Sequence, residues 1–155
     1  ALHSPEIDAL NPFGKVPAFR HGELILFETI AIGCYVDEAF DGPPLWPKDE
    51  PARARFLQFM SAYPDNTYSA VFPLILQRLV VPNRGGTPDE GVIAGAAPRA
   101  LRQLKIFDGA LGDSLGLAGA EFSLADMFLA PMVFYLGVMP ESGKLLGNIG
   151  DLNRW

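Results

Sequence analysis

Residues 11–32, NPFGKVPAFRHGELILFETIAI, constrain the fold more than any other stretch of the chain. Two short runs rich in Val, Ile, Leu and Phe, at 16–20 and 23–27, are separated by His21 and Gly22 alone. That gap is the length of a two-residue hairpin loop, so the pattern predicts two antiparallel strands joined by a tight turn. Pro17 has no amide to give a ladder, which puts Val16 and Pro17 at a strand start or an edge, where backbone groups stay free for another partner. Glu28 and Thr29 then precede a helical run at 30–40, with Thr a normal N-cap residue. A carboxylate, a hydroxyl and the unpaired amides of a helix N-terminus meet at this junction, which suits the carboxylate or amine of a small ligand.

After that helix the pattern changes. Asp41, Gly42, Pro43 and Pro44, with Trp46 and Pro47, form a Pro/Gly-rich break that marks a domain boundary, giving units 1–41 and 42–155. Beyond it the strand signal stops and apolar residues recur at helical spacing: Phe56, Phe59 and Met60, then Val71, Ile75 and Leu79. Pro64 is expected to end or kink the helix that starts near Pro51, and 82–86 reads as a loop. Thr87-Pro88-Asp89-Glu90 predicts an N-cap at Thr87 with proline first in the helix, followed by a buried stripe of Leu101, Leu104, Ile106, Phe107 and Leu111. Ser123-Leu124-Ala125-Asp126 predicts a second capping box, with Phe122 and Met127 as a hydrophobic staple. The helix it starts carries Leu124, Phe128, Met132, Val133 and Leu136 and should be central to the bundle. A further helix start is read at 151–155, with Trp155 in the core.

Composition narrows the function classes. With 49% hydrophobic and 19% charged residues in 155, the chain is globular and large enough for a core. A net charge of −6, without any Lys/Arg cluster, argues against nucleic acid and against an anionic membrane. The longest apolar run, 127–139, is too short to span a bilayer and contains Pro131, and no signal-peptide pattern opens the chain, so a cytoplasmic protein is expected. Cys34 is the single cysteine, which leaves no internal disulfide, no Cys-x-x-Cys pair for a thioredoxin-type oxidoreductase and no cysteine zinc site; two distant histidines make no metal site. Inside an apolar helix, Cys34 reads as a small buried hydrophobe.

The motifs taken together, SPE and ALNPFGKVPAF over 4–19, the hairpin HGELILFE, the pair Glu28 and Thr29, and AGAEFSLADMFLAP further on, resemble the cytosolic glutathione transferase family, in particular its bacterial and phi-like members. The resemblance implies an α+β chain: a partial thioredoxin-like α/β domain of hairpin plus helix, followed by an all-α helical-bundle domain. In that family the glutathione-binding domain begins with a strand, a helix and another strand. Those elements, and the Ser, Tyr or Cys that activates the glutathione thiol, are expected upstream of Ala1, so no catalytic residue is carried over.

The resemblance also implies site roles. Val16 and Pro17 would form a cis peptide that turns the Val16 backbone toward the ligand's cysteinyl part. Glu28 would hold the γ-glutamyl ammonium and Thr29 its carboxylate, with Ile30 standing where many members carry arginine. Lys15 would contact the glycyl carboxylate, and His3 stands at a basic position of the family's glutathione-binding loop before NPFG. Phe13 would dock into a partner subunit of a homodimer, while Tyr63, Tyr68 and Phe72 would face a cleft for a hydrophobic electrophile. The implied function is a detoxification enzyme that conjugates glutathione, a co-substrate, to that electrophile without a metal. A non-catalytic binding or regulatory module of the same fold is the alternative.

Overall fold

The computed structural model describes residues 3–147 and 149–154; the reading of Trp155 as a core residue lies outside them. It separates into two compact units, Ala1–Trp46 and Pro47–Trp155.

In the first unit a short helix, α1 (Pro5–Asp8), leads through a loop to strands β1 (Ala18–His21) and β2 (Leu24–Phe27) and then to helix α2 (Thr29–Ala39). Ser4 caps α1, its hydroxyl accepting from the Ile7 amide. The antiparallel register pairs Ala18 with Phe27 and His21 with Leu24, so the turn residues are Gly22 and Glu23, one position later than the pattern predicts. The reason is conformational. Gly22 takes φ 60° while Glu23 stays at negative φ, as in a type II′ turn, which wants glycine first. A turn at His21 and Gly22 would have put a β-carbon in that place. Pro17 lies just outside β1, as a residue without an amide should. Helix α2 also begins one residue early, with Glu28 as the N-cap position and Thr29 inside the first turn. At its other end the Asp37 carboxylate accepts from the Leu45 and Trp46 amides at 2.7 and 2.8 Å, folding the Pro/Gly-rich segment back onto α2.

The second unit is all-helical among the described residues apart from an isolated bridge between Gly116 and Gly119. Asp49 caps α3 (Glu50–Ala62), accepting from the Ala52 amide at 2.8 Å. Pro64 does not break the chain out of helix; it shifts residues Tyr63–Tyr68 into a π-helical turn, as befits a residue with no N–H for the ordinary ladder. Helix α4 (Ser69–Ile75) follows, then a second π segment (Leu76–Val80) and α5 (Val81–Asn83). Helix therefore persists to Asn83, into the segment expected to be loop.

Helix α6 (Glu90–Leu111) is capped by Asp89, whose carboxylate accepts from the Gly91 and Val92 amides at 2.8 and 3.0 Å. Thr87 is not the cap: two residues on, a carboxylate satisfies two orphan amides at once. The buried face of α6 is Ile93, Ala96, Ala100, Leu104, Phe107 and Leu111, and it packs along α4. Ile106, expected in that stripe, is 51% exposed, because Phe107 and not Ile106 continues the 3–4 spacing from Leu104. Helix α7 (Leu124–Gly137) packs on α3, α4 and α8 (Ser142–Leu146) and buries Leu124, Leu129, Met132 and Leu136. Phe122 and Met127 are both about half exposed. Helix α9 (Gly150–Arg154) closes the unit against α6, where Asp108 accepts from the Asp151 and Leu152 amides, both at 2.9 Å.

The capping box of α7 is complete. Ser123 Oγ accepts from the Ala125 amide at 3.3 Å, and the fully buried Asp126 accepts from the Ser123 amide and hydroxyl, each at 2.8 Å, and from the Leu117 amide at 2.9 Å. Arg78 ties three elements together. Its guanidinium donates two bonds to Glu90 at the start of α6 and reaches Glu141, ahead of α8, through Nε at 2.9 Å. Those bonds hold both carboxyls below the usual carboxylate range. Among the described residues no helix is long and apolar enough to cross a membrane.

Candidate functional site

The open end of the hairpin gathers most of the residues that the sequence singles out. Because Ala18 pairs with Phe27, the next residues on each strand, Pro17 and Glu28, leave the ladder side by side. The Val16-Pro17 peptide is cis, and Val16 is exposed. On the other strand Glu28 and Thr29 are also exposed, at the N-terminus of α2, where the first amides have no intrahelical acceptor. Four predicted residues therefore share one edge: a free backbone segment, a carboxylate, a hydroxyl and the positive end of a helix dipole. Such an edge can accept an ammonium at Glu28 and a carboxylate at Thr29 and the amides.

Glu28 itself has φ 70° and ψ 121°, outside the regions an L-residue ordinarily occupies, and its side chain makes no capping hydrogen bond. Conformations of this kind persist where the surroundings over-determine them, and they concentrate at ligand sites.

The loop before β1 carries the other two predicted residues. Asn11, buried, donates from Nδ2 to the Lys15 carbonyl at 2.8 Å and accepts at Oδ1 from the Phe13 amide at 3.0 Å. It thereby fixes the path into Val16. Sequence reading had missed it, although an Asn two residues before the amide it accepts from is the signature of an Asx turn. Lys15 is exposed; His3 joins the same loop, its amide donating to the Gly14 carbonyl at 3.1 Å. Phe13 is 60% exposed and sets its ring edge against Phe27, with centroids 5.7 Å apart, which holds the loop against the end of β2. His21 lies at the opposite end of the hairpin, bonded to Tyr35 Oη at 2.8 Å.

Cys34, on α2, is half-buried, and burial, aided by Glu38 and Asp37, pushes its thiol pKa up. A raised pKa makes a poor nucleophile. Among the described residues no group of three or more His, Cys, Asp and Glu could hold a metal.

In the second unit Tyr63, Tyr68 and Phe72 form a run of rings along the π turn and α4, with centroids 6.4 and 4.9 Å apart; the Tyr68 and Phe72 planes differ by 17°. Burial, with Tyr68 beside it, pushes the Tyr63 phenol up to about 12. Tyr63 is tilted by 44° against Tyr68, so the run offers a bent apolar surface with hydroxyl donors at Tyr63 and Tyr68.

Comparison with known proteins bears on both units. The family model for the glutathione S-transferase N-terminal domain matches residues 2–38, and that for the C-terminal domain matches 90–155. "Glutathione S-transferase 3" of Zea mays is 35% identical over 128 residues, covering 81% of this chain and 57% of its own length. "Glutathione S-transferase F13" of Arabidopsis thaliana is 31% identical over 154 residues, covering 97% of this chain and 70% of its own. A solved glutathione S-transferase-I bound with lactoylglutathione superposes with a TM-score of 0.86 at 29% identity, over 98% of this chain and 72% of that one. This chain thus spans a little over half of the maize relative and about seven-tenths of the other two.

Proposed function

The chain belongs to the glutathione S-transferase family, and on that premise we propose that it binds glutathione at the open end of its hairpin and serves conjugation of the glutathione thiolate to a hydrophobic electrophile. The observation that carries this reading is the side-by-side exit of Pro17 and Glu28 from the ladder at the N-terminus of α2. Glutathione's γ-glutamyl end has an ammonium and a carboxylate on one carbon, and this junction supplies a partner for each: Glu28 for the first, the Thr29 hydroxyl and the α2 amides for the second. The exposed Val16 backbone would pair with the cysteinyl part, while Lys15 and His3 would take the glycyl carboxylate.

The chemistry follows from what is bound. The thiolate forms a carbon–sulfur bond to the electrophile, which releases its leaving group with the electron pair, and the thiol proton goes to solvent or to the activating residue. This chain's assigned part is to bind and orient the tripeptide, which raises the effective concentration of the nucleophile. Residues 1–41 are the glutathione-binding portion and 42–155 the helical portion, where Tyr63, Tyr68 and Phe72 would take the second substrate. A cytoplasmic, detoxifying homodimer with Phe13 at the subunit contact completes the proposal. The test is calorimetry with glutathione on the full chain and on Glu28→Ala and Thr29→Ala. Each variant should keep its melting temperature and lose about 10- to 150-fold in affinity, the usual size of a lost bond to a charged group; variants that bind as tightly as the parent would refute the site.

A further inference from the structure

We propose that Asp41 is a self-modifying site: the Gly42 amide nitrogen attacks its carboxyl, and the ring that forms opens to isoaspartate, here and not at the chain's other Asp-Gly pair. Asp-Gly occurs twice, at 41–42 and at 108–109. Glycine makes such a pair reactive, because without a β-carbon its amide is unhindered and its backbone turns freely. By sequence the two pairs are equivalent; their surroundings separate them. Asp41 and Gly42 follow the end of α2, in neither helix nor strand, and both are exposed. Among the described residues neither the Asp41 carboxylate nor the Gly42 amide has a hydrogen-bond partner. A β-carbon on Gly42 would meet nothing within 4 Å. The pair is free although both flanks are anchored: Phe40 sets its ring against His21, with centroids 5.0 Å apart, and Asp37 holds the Leu45 and Trp46 amides at 2.7 and 2.8 Å.

Asp108 and Gly109 lie inside α6, where the groups the reaction needs are engaged. The Asp108 carboxylate accepts from the Asp151 and Leu152 amides, both at 2.9 Å, and its carbonyl accepts from the Gly112 amide at 3.0 Å. Ring closure brings the glycine nitrogen onto the aspartate γ-carbon, which turns the aspartate ψ away from its helical value and breaks the helical ladder. At Asp41 no such bond has to break. The step there balances with water alone. The Gly42 nitrogen, its proton passing to solvent, bonds to Cγ of the protonated carboxyl, and the Cγ–O bond breaks to release water. Water then adds to one of the two ring carbonyls. Opening at the side-chain carbonyl restores aspartate. Opening at the main-chain carbonyl leaves the chain running through Cβ, with a free α-carboxylate.

The test incubates the full chain at neutral pH, once folded and once in urea, and separates aspartyl from isoaspartyl peptides after digestion. In the folded chain isoaspartate should accumulate at 41. At 108 it should form at least about a hundredfold more slowly, because reaction there waits for the core helix to open. In urea the two rates should converge, since only the fold distinguishes the pairs. Gly42→Val, which adds a side chain in open space and crowds the attacking nitrogen, should keep the melting temperature and lose the product at 41 while leaving 108 as it was. Equal rates at the two pairs in the folded chain overturn the proposal, as does isoaspartate at 41 that appears in urea only. A product at 41 that persists undiminished in Gly42→Val overturns it too, because the Gly42 amide would then not be the attacking group.

Discussion

Replacing Glu28 with glycine should strengthen the fold and weaken glutathione binding, two effects of opposite sign from one substitution. The backbone at Glu28, φ 70° and ψ 121°, is a conformation that costs an L-residue about 1–3 kcal/mol. Glycine removes that strain but frees the unfolded chain, an offset of about 0.5–1 kcal/mol. The exposed side chain makes no capping bond, so its loss costs the fold little. Taking the middle of each range, about 2 kcal/mol of strain less about 0.75 kcal/mol of offset, the net gain is about 1 kcal/mol, or roughly 2–4 °C in Tm for a chain of this size. Binding loses the countercharge for the ammonium, about 1.5–3 kcal/mol, with exposure favouring the lower end. Urea midpoints and calorimetry separate the two. The control is Glu28→Ala, which keeps a β-carbon and hence the strain: it should lose the same affinity without gaining stability. A glycine variant no more stable than the parent, or an alanine variant equally stabilised, would refute the argument from strain.

Asp126→Ala should cost about 3–5 kcal/mol in urea unfolding, because it strips the acceptor from the Leu117 and Ser123 amides at a fully buried position, whereas Ser123→Ala should cost about 1 kcal/mol; equal losses would contradict the hydrogen-bond account. Asn11→Ala should release the Lys15 carbonyl and the Phe13 amide and weaken glutathione binding about tenfold by calorimetry, since it loosens the loop that presents Lys15 and Val16. Acid should remove the contribution of Glu141: Arg78 holds its folded-state pKa below the ordinary 4.5, so the stabilisation is present above pH 4.5 and is lost as pH falls through the lower folded value. Arg78→Met should flatten that acid limb, which stability curves between pH 6 and pH 2 would register.

The hairpin and the α7 cap were legible because each is a local signal. Two apolar runs around a tight turn and a Ser-x-x-Asp box act over a few residues. The errors were of one or two positions, and they share a cause: competing local options that only three-dimensional detail decides. The turn moved to Gly22 and Glu23 because a positive φ had to fall on glycine. The α6 cap moved from Thr87 to Asp89 because a carboxylate could take two amides. Ile106 fell off the buried stripe because the helical phase set by Leu104 continues through Phe107. What could not be read at all was long-range or conformational: the Arg78 clasp to Glu141, 63 residues away, the Asp37 hold on the 45–46 amides, and the strain at His3 and Glu28. In the site, residue types were legible from the motifs, while the register that sets Pro17 beside Glu28 came from the fold.

The account stands or falls on glutathione binding at that junction, and residue-resolved amide shifts in a glutathione titration test it most directly. The account predicts saturable shifts confined mainly to Lys15, Val16, Glu28, Thr29 and the next amides of α2. Shifts that fail to saturate, or that cluster in the helical unit and leave Val16 and Thr29 unmoved, would contradict it.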